Sequence, residues 1–295
     1  MTETQQAFFM PAVAPATGQR FCVFHPARGP EVHGLVVYIH PFAEEMNKSR
    51  RMAALQSRSL AAAGFSVLQI DLHGCGDSSG DFGDACWHGW VDDVLMAVDW
   101  LRRREAGHAH APLWFWGLRA GCLLALAAAA KLDEACNFCF WQPVITGKLA
   151  LQQFLRLEVA ANLLSGNSQY LMNGLRQQIA RGESVAIAGY QVASALAQGL
   201  NGALLKPCAA LPSSTRLEWF EVSTRSDTAL SPMAEQMLAQ WIAASAAGRS
   251  HLVQGPLFWQ TSEIEDAPAL IAATTAALTL TAPPVLRLRP EAAAV

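Results

Sequence analysis

Charge is scarce in this chain. Of 295 residues only 15% are Asp, Glu, Lys or Arg, four are lysines, and the formal net charge is −3. Without a basic face there is nothing to hold a polyphosphate backbone, so nucleic acid is excluded as a partner. Long apolar runs are lacking too. None reaches the roughly 20 residues needed to cross a bilayer, so no membrane span is expected. Residues 1–17 carry no basic segment followed by an apolar one, and no secretory signal is expected. These absences lead to the expectation of a soluble cytoplasmic protein. Cysteine shows no pairing pattern: the seven thiols are odd in number and scattered, which fits reduced core residues and not a disulfide framework. Cys136 and Cys139 do spell C-x-x-C. They lie in a strand-like run over 136–142, where positions i and i+3 face opposite ways. Packing is therefore the reading, and neither a metal site nor a cofactor is expected.

Apolar residues, by contrast, make up 52% of the chain, enough for a sizeable core and against disorder. Short leading strands are predicted at Phe8-Phe9 and over 20–25. The run GLVVYI at 34–39 is apolar without alternation, as in a strand buried on both faces. A helix is predicted over 50–63, stopped by Gly64, then a strand over 66–71. Trp90, Val94, Leu95, Val98 and Leu101 recur at helical spacing within 87–104. A strand at 113–116, an apolar helix from Cys122 and the strand at 136–142 follow. From 147 to 212 strand signals stop and Ala- and Leu-rich helical stretches take over. Alternation resumes with a strand at 216–222, a helix at 232–247, a strand at 251–254 and a helix at 268–278, before a Pro/Ala-rich peripheral tail. The expectation is an α/β fold, a mostly parallel sheet flanked by helices on both faces. It divides into core residues 1–146, a helical cap insertion over 147–212, and a second core part over 213–295. Ligands of such sheets bind beyond the strands' carboxyl ends.

Gly117-Leu118-Arg119-Ala120-Gly121 stands between the strand at 113–116 and the helix from Cys122. Strand, G-x-S-x-G, helix is the nucleophile elbow of the α/β-hydrolases, and this segment resembles it with Arg119 in the serine's place. Three further segments resemble that fold in chain order. His40-Pro41-Phe42 follows a strand where the oxyanion-hole loop lies. Residues 71–78 (DLHGCGDS) match the D-x-x-G-x-G-x-S turn, and Asp227 follows a strand in the usual place of the triad acid. An α/β-hydrolase fold is therefore expected. The base is unmatched: residues 255–265 hold no histidine, and His251 lies upstream within a strand. A guanidinium stays protonated, only donates, and cannot attack a carbonyl, so serine-type acyl transfer through this turn is excluded.

A cation at the amino end of a helix opposes the macrodipole and is costly to desolvate, so an anion must lie near Arg119. Either it is internal, from Asp227, Glu44, Glu45, Glu263 or Glu265, or it is a ligand carboxylate or phosphate. The N–H groups of Phe42 and Ala120 would assist in holding such a ligand. The cluster from Glu44 to Arg51 reads either as a solvated helix start or as the mouth of the site. Asp77, Ser78, Trp87 and His88 are further rim candidates, and Cys122 lies at a helix start that could stabilise a thiolate. The candidate binding set is Arg119, Ala120, His40, Phe42, Glu44, Glu45 and Trp259, with Asp227 as the residual triad acid.

Taken together, these residues resemble the second type of exosortase A system-associated hydrolase, a branch of the α/β-hydrolase superfamily. The resemblance rests on residues 41–50 (PFAEEMNKSR), the Asp71 to Phe82 turn and Gly117-Leu118-Arg119. It continues through 181–185 (RGESV), Gly189-Tyr190, Phe258-Trp259-Gln260 and Glu263-Ile264. It implies a setting among bacterial exopolysaccharide and PEP-CTERM protein-sorting genes, and an acyl or thioester ligand, free or linked to an acyl carrier. Three functions stand as expectations. One is binding of an acyl or anionic small molecule at Arg119 without serine hydrolysis. Another is ester or thioester hydrolysis by carboxylate-activated water. The third is an interaction module that uses the cap as its contact face.

Overall fold

The computed structural model describes residues 4–14, 16–161, 168–207, 212, 214–226, 229–244 and 246–280. Its strands are β1 (Gln6–Pro11), β2 (Gln19–His25), β3 (Gly34–Ile39), β4 (Phe65–Ile70), β5 (Leu113–Leu118), β6 (Cys136–Trp141), β7 (Val185–Ile187), β8 (Tyr190–Val192), β9 (Arg216–Ser223) and β10 (Ala247–Gln254). Its α-helices are α1 (Glu44–Ala62), α2 (Trp87–Arg104), α3 (Gly121–Ala129), α4 (Gly147–Ala161), α5 (Ser168–Ala180), α6 (Ser194–Gly202), α7 (Pro232–Ala243) and α8 (Pro268–Thr279). Eight strands form one sheet in the order β1-β2-β4-β3-β5-β6-β9-β10. The β1–β2 and β2–β4 pairs are antiparallel, and β4 through β10 are parallel.

Helices cover both faces, which is why the inner strands carry no polar alternation. Along β3, Leu35, Val37 and Ile39 enter the core shared with α2, α3 and α7, whose Val94, Leu123 and Trp241 are buried there. Val36 and Tyr38 enter the opposite core with Met52 of α1 and Leu270 of α8. Cys136 and Cys139 likewise fall in opposite cores, as the period-two geometry of a strand requires. After β3 the chain steps outward to β4, then returns across β3 to β5. The carboxyl ends of β3 and β5 are therefore a topological switch point, where adjoining loops part and leave a crevice.

Three local expectations change. The first helix begins at Glu44, not at residue 50. Its polar opening hides the apolar period, although Met46 and Ser49 are buried and two carboxylates occupy the first turn, beside the positive helix end. The segment over 147–212 is not wholly helical. It contains the β7–β8 hairpin, turned through Ala188 (φ 48°) and Gly189 (φ 85°), and its strands are too short for alternation to register. β10 also begins four residues early, at Ala247. The tail over 281–295 lies outside the described residues. Among those described, no helix is long and apolar enough to cross a membrane.

Candidate functional site

The turn between β5 and α3 is tight enough to dictate its own sequence. A β-carbon on Gly117 would lie 2.7 Å from the Cys122 nitrogen, and one on Gly121 would lie 2.4 Å from the Ile39 carbonyl oxygen. Both neighbours are backbone, so neither can yield, and only glycine fits. Between them Arg119 adopts φ 55°, a left-handed conformation costly for a residue with a β-carbon. The backbone holds it there: Arg119 N–H donates to the Trp141 carbonyl at 2.9 Å, and Cys122 N–H donates to the Arg119 carbonyl at 3.1 Å. The strained residue stands at the switch point with its side chain over the sheet's carboxyl edge.

The Arg119 side chain is only 11% exposed. Its Nε donates to Oε1 of Glu45 at 3.2 Å and its Nη2 to Oε1 of Gln153 at 2.8 Å. Its Cζ lies 5.9 Å from the Trp259 ring centre, within the outer range of a cation–π contact. Of the two sources of counter-charge open in the sequence, Glu45 supplies an internal one. The pair nonetheless faces a cavity of about 380 Å³, whose walls include Phe42, Glu44, Glu45, Lys48, Arg119 and Trp259. The acidic cluster is thus both a helix start and part of the cavity wall. Burial raises the Glu45 carboxyl above its ordinary range, opposed by Arg119, and burial raises Glu44 in the same direction. Among the described residues, Oε2 of Glu44 is enclosed and has no hydrogen-bond partner.

Behind this cavity the loop after β3 is braced by His40. Its Nδ1 lies 2.8 Å from the Pro41 carbonyl, and its Nε2 accepts from Leu72 N–H at 3.3 Å, which requires the neutral Nδ1–H tautomer. Burial lowers its pKa, in keeping with that neutral form. His40 lines a smaller pocket that shares Phe42 and Ala120 with the main cavity. Phe42 is clamped edge-on by Phe82, Trp90 and Phe154, with centroids 5.4, 5.8 and 5.1 Å away. Among the described residues no acceptor faces the N–H of Phe42 or of Ala120.

The remaining candidates scatter. Asp227 lies outside the described residues. His251 is three strands from the elbow by the register Leu118–Trp141–Phe220–His251, roughly 14 Å at the usual strand spacing. Its Nε2 instead lies 2.8 Å from fully buried Glu218, a carboxylate also held by Arg216 and Arg249. Burial raises the Glu218 pKa, but these three partners outweigh it and leave the carboxyl below its ordinary range. Cys122 is fully buried, and burial pushes its thiol well above the ordinary value, against the lowering effect of Arg119. Asp71 and Ser78 brace their own turn, Asp71 Oδ2 accepting from Asp77 N–H at 3.1 Å and Ser78 Oγ donating to the Asp71 carbonyl at 2.5 Å. They also tie it to α1 and β2, through Arg50 Nη2 at 2.7 Å and Phe21 N–H at 2.9 Å. His88 is exposed on α2 beside Asp92 and Lys131. No His, Cys, Asp or Glu cluster among the described residues could hold a metal ion. Gln153, the second partner of Arg119, was not legible in the sequence, because one amide in an Ala/Leu-rich helix carries no signal.

Comparison with known proteins agrees with the fold. Residues 30–183, more than half the chain, match the family described as serine aminopeptidase, S33. Human protein ABHD12B is 29% identical over 113 residues, 38% of this chain, and the match spans only 29% of that relative's length. A monoglyceride lipase from Saccharomyces cerevisiae, solved with a substrate analogue, superposes with a TM-score of 0.59 at 15% identity, covering 95% of this chain and 97% of its own. Est1E from Butyrivibrio proteoclasticus, solved with ferulic acid, gives 0.57 at 15% identity over 89% and 93%. A thermostable carboxyl esterase from Bacillus coagulans gives 0.58 at 12% identity over 86% and 91%. At these identities the structures establish the α/β-hydrolase fold and no more. The elbow, the switch-point crevice and the matched sequence lead to one conclusion: this chain belongs to the serine aminopeptidase S33 family.

Proposed function

We propose that this chain is a binding protein on a hydrolase scaffold, in which Arg119 holds the anionic head of an acyl intermediate and no serine-type hydrolysis occurs. The observation that carries the reading is Arg119 itself, locked into the elbow by backbone and facing a cavity of about 380 Å³. That volume suits a small ligand. Val144, Ala150, Phe154 and Leu157 offer apolar wall to a chain, while Glu44, Glu45, Lys48, Arg119 and Gln153 supply the polar groups. In this reading the triad is degenerate, with arginine for serine and no histidine over 255–265. The segment over 147–212 serves as the cap, lending Gln153 and Phe154 to the cavity.

Fold analogy supports an acyl class of ligand, since two neighbours were solved with ferulic acid and with a lipase substrate analogue. The resemblance of residues 41–50 and 117–119 to the second exosortase-associated type supports a cytoplasmic role in a bacterial exopolysaccharide and PEP-CTERM system, with the acyl group free or carrier-linked. Calorimetric titration with octanoate tests the reading. Arg119→Ala should weaken binding at least about tenfold, because a charge-assisted bond is lost, with the circular-dichroism spectrum unchanged. Equal affinity in the two proteins would reject it.

A second reading, hydrolysis by carboxylate-activated water, is favoured by the enclosed, unpartnered oxygen of Glu44. It requires turnover of acyl esters or thioesters that disappears in Glu44→Gln. Absence of turnover across a panel of both would dismiss it.

A further inference from the structure

We infer that an anionic ligand enters this site together with one proton, taken up by the Glu44–Glu45 pair as the ligand's carboxylate replaces Glu45 on Arg119. The inference rests on the binding reading above and deepens it: the ligand class becomes a monocarboxylate, and its affinity becomes pH-dependent.

Geometry is the first support. Nε and Nη2 form one edge of the guanidinium fork, the edge that grips a carboxylate side-on. In the structure that edge is filled by two oxygens from different elements, Glu45 Oε1 at 3.2 Å from α1 and Gln153 Oε1 at 2.8 Å from α4. Together they stand where the two oxygens of one bound carboxylate would sit. Glu45 spends a single oxygen on the arginine, whereas a ligand able to reach both nitrogens gains the bidentate pair.

Charge balance is the second. The charged groups lining the cavity are Glu44, Glu45 and Lys48 of α1 and Arg119 of the elbow. The α4 wall contributes the neutral amide of Gln153, and the loop after β10 contributes Trp259 and Gln260. Tyr190 of β8, the further titratable group near Glu44, has its phenol raised by burial and by that carboxylate, and stays neutral. With all four ionised the site is neutral. A bound monoanion would leave three carboxylates against two cations in a space already largely desolvated, an expensive imbalance. One proton from solvent restores neutrality. No bond of the ligand changes: the ligand anion plus one proton plus the protein gives the complex, and the proton rests on a glutamate carboxyl.

The pair is suited to accept it. Burial raises both carboxyls, and the neighbouring Glu44 raises Glu45 further. Glu44 Oε2 is enclosed with no hydrogen-bond partner, so a proton can rest there without displacing a donor. Lys48 of the same helix lines the cavity and opposes the rise at both carboxyls, while its ammonium donates to the Gln260 carbonyl at 3.4 Å.

The experiment is calorimetry of full-length protein with octanoate at pH 7 in phosphate and in Tris, whose ionisation enthalpies differ. The slope of observed heat against buffer enthalpy should report about one proton taken up per octanoate bound. Octanoate affinity should fall about tenfold per pH unit once the pair is ionised in the free protein. Glu45→Gln, which preserves shape and an oxygen for Arg119, should abolish the uptake and flatten the pH dependence. Binding without proton uptake, or uptake unchanged in Glu45→Gln, would overturn this inference while leaving the Arg119 binding reading intact. No binding of octanoate by the wild-type protein would overturn both.

Discussion

Glu45 accepts a hydrogen bond from Arg119 Nε at 3.2 Å, with side chains only 17% and 11% exposed. A cation at the amino end of α3 and a carboxylate at the amino end of α1 thus neutralise each other across the switch point. Removing one partner strands the other. Glu45→Ala should destabilise the protein by about 3 kcal/mol in urea unfolding, whereas the double substitution Arg119→Leu with Glu45→Leu should recover most of that loss. Equal losses in the single and double variants would show that the pair is not energetically coupled.

The elbow is set by steric exclusion. Gly121→Ala would place a methyl 2.4 Å from the Ile39 carbonyl oxygen and 2.7 Å from that of His40, forcing β3 and α3 apart. A loss of about 1–3 kcal/mol is expected, together with weaker octanoate binding because Arg119 moves. Wild-type stability in this variant would contradict the close approach.

Restoring a hydroxyl should not restore a hydrolase. Arg119→Ser supplies the nucleophile's oxygen at φ 55°, but His40 is tied to Pro41 and Leu72, and His251 to Glu218. Neither of these two imidazoles is free to take the proton. Turnover of p-nitrophenyl butyrate by Arg119→Ser should stay at the buffer background, and a burst of nitrophenol would refute this.

Stability should depend on pH through His25. Burial, then Arg58 and Arg28, lower its pKa from 6.5 to about 4. The native ring therefore stays neutral where the unfolded one protonates. The unfolded state binds more protons between those values, so stability is full above pH 6.5 and falls as pH drops towards 4, by about 3 kcal/mol. In His25→Gln that part of the slope should vanish from urea midpoints measured across this window.

The centre of the sheet was legible because β3, β4 and β5 are largely apolar runs, and the elbow because no other residue fits at 117 and 121. The position of Arg119 followed from those two glycines. Its partners did not. Glu45 was one of five acidic candidates, since pairing between α1 and the elbow depends on the strand order and not on sequence spacing. Gln153 comes from a helix whose packing over the crevice no local pattern records. The β7–β8 hairpin and the early start of α1 escaped for the same reason: short strands and a polar first turn have no period to detect.

Crystals of the octanoate complex test the central claim most directly. The account places both carboxylate oxygens within hydrogen-bonding distance of Nε and Nη2 of Arg119, with the Glu45 side chain displaced and the alkyl chain against Phe154. Octanoate bound elsewhere, with the Arg119–Glu45 pair unbroken, would contradict it.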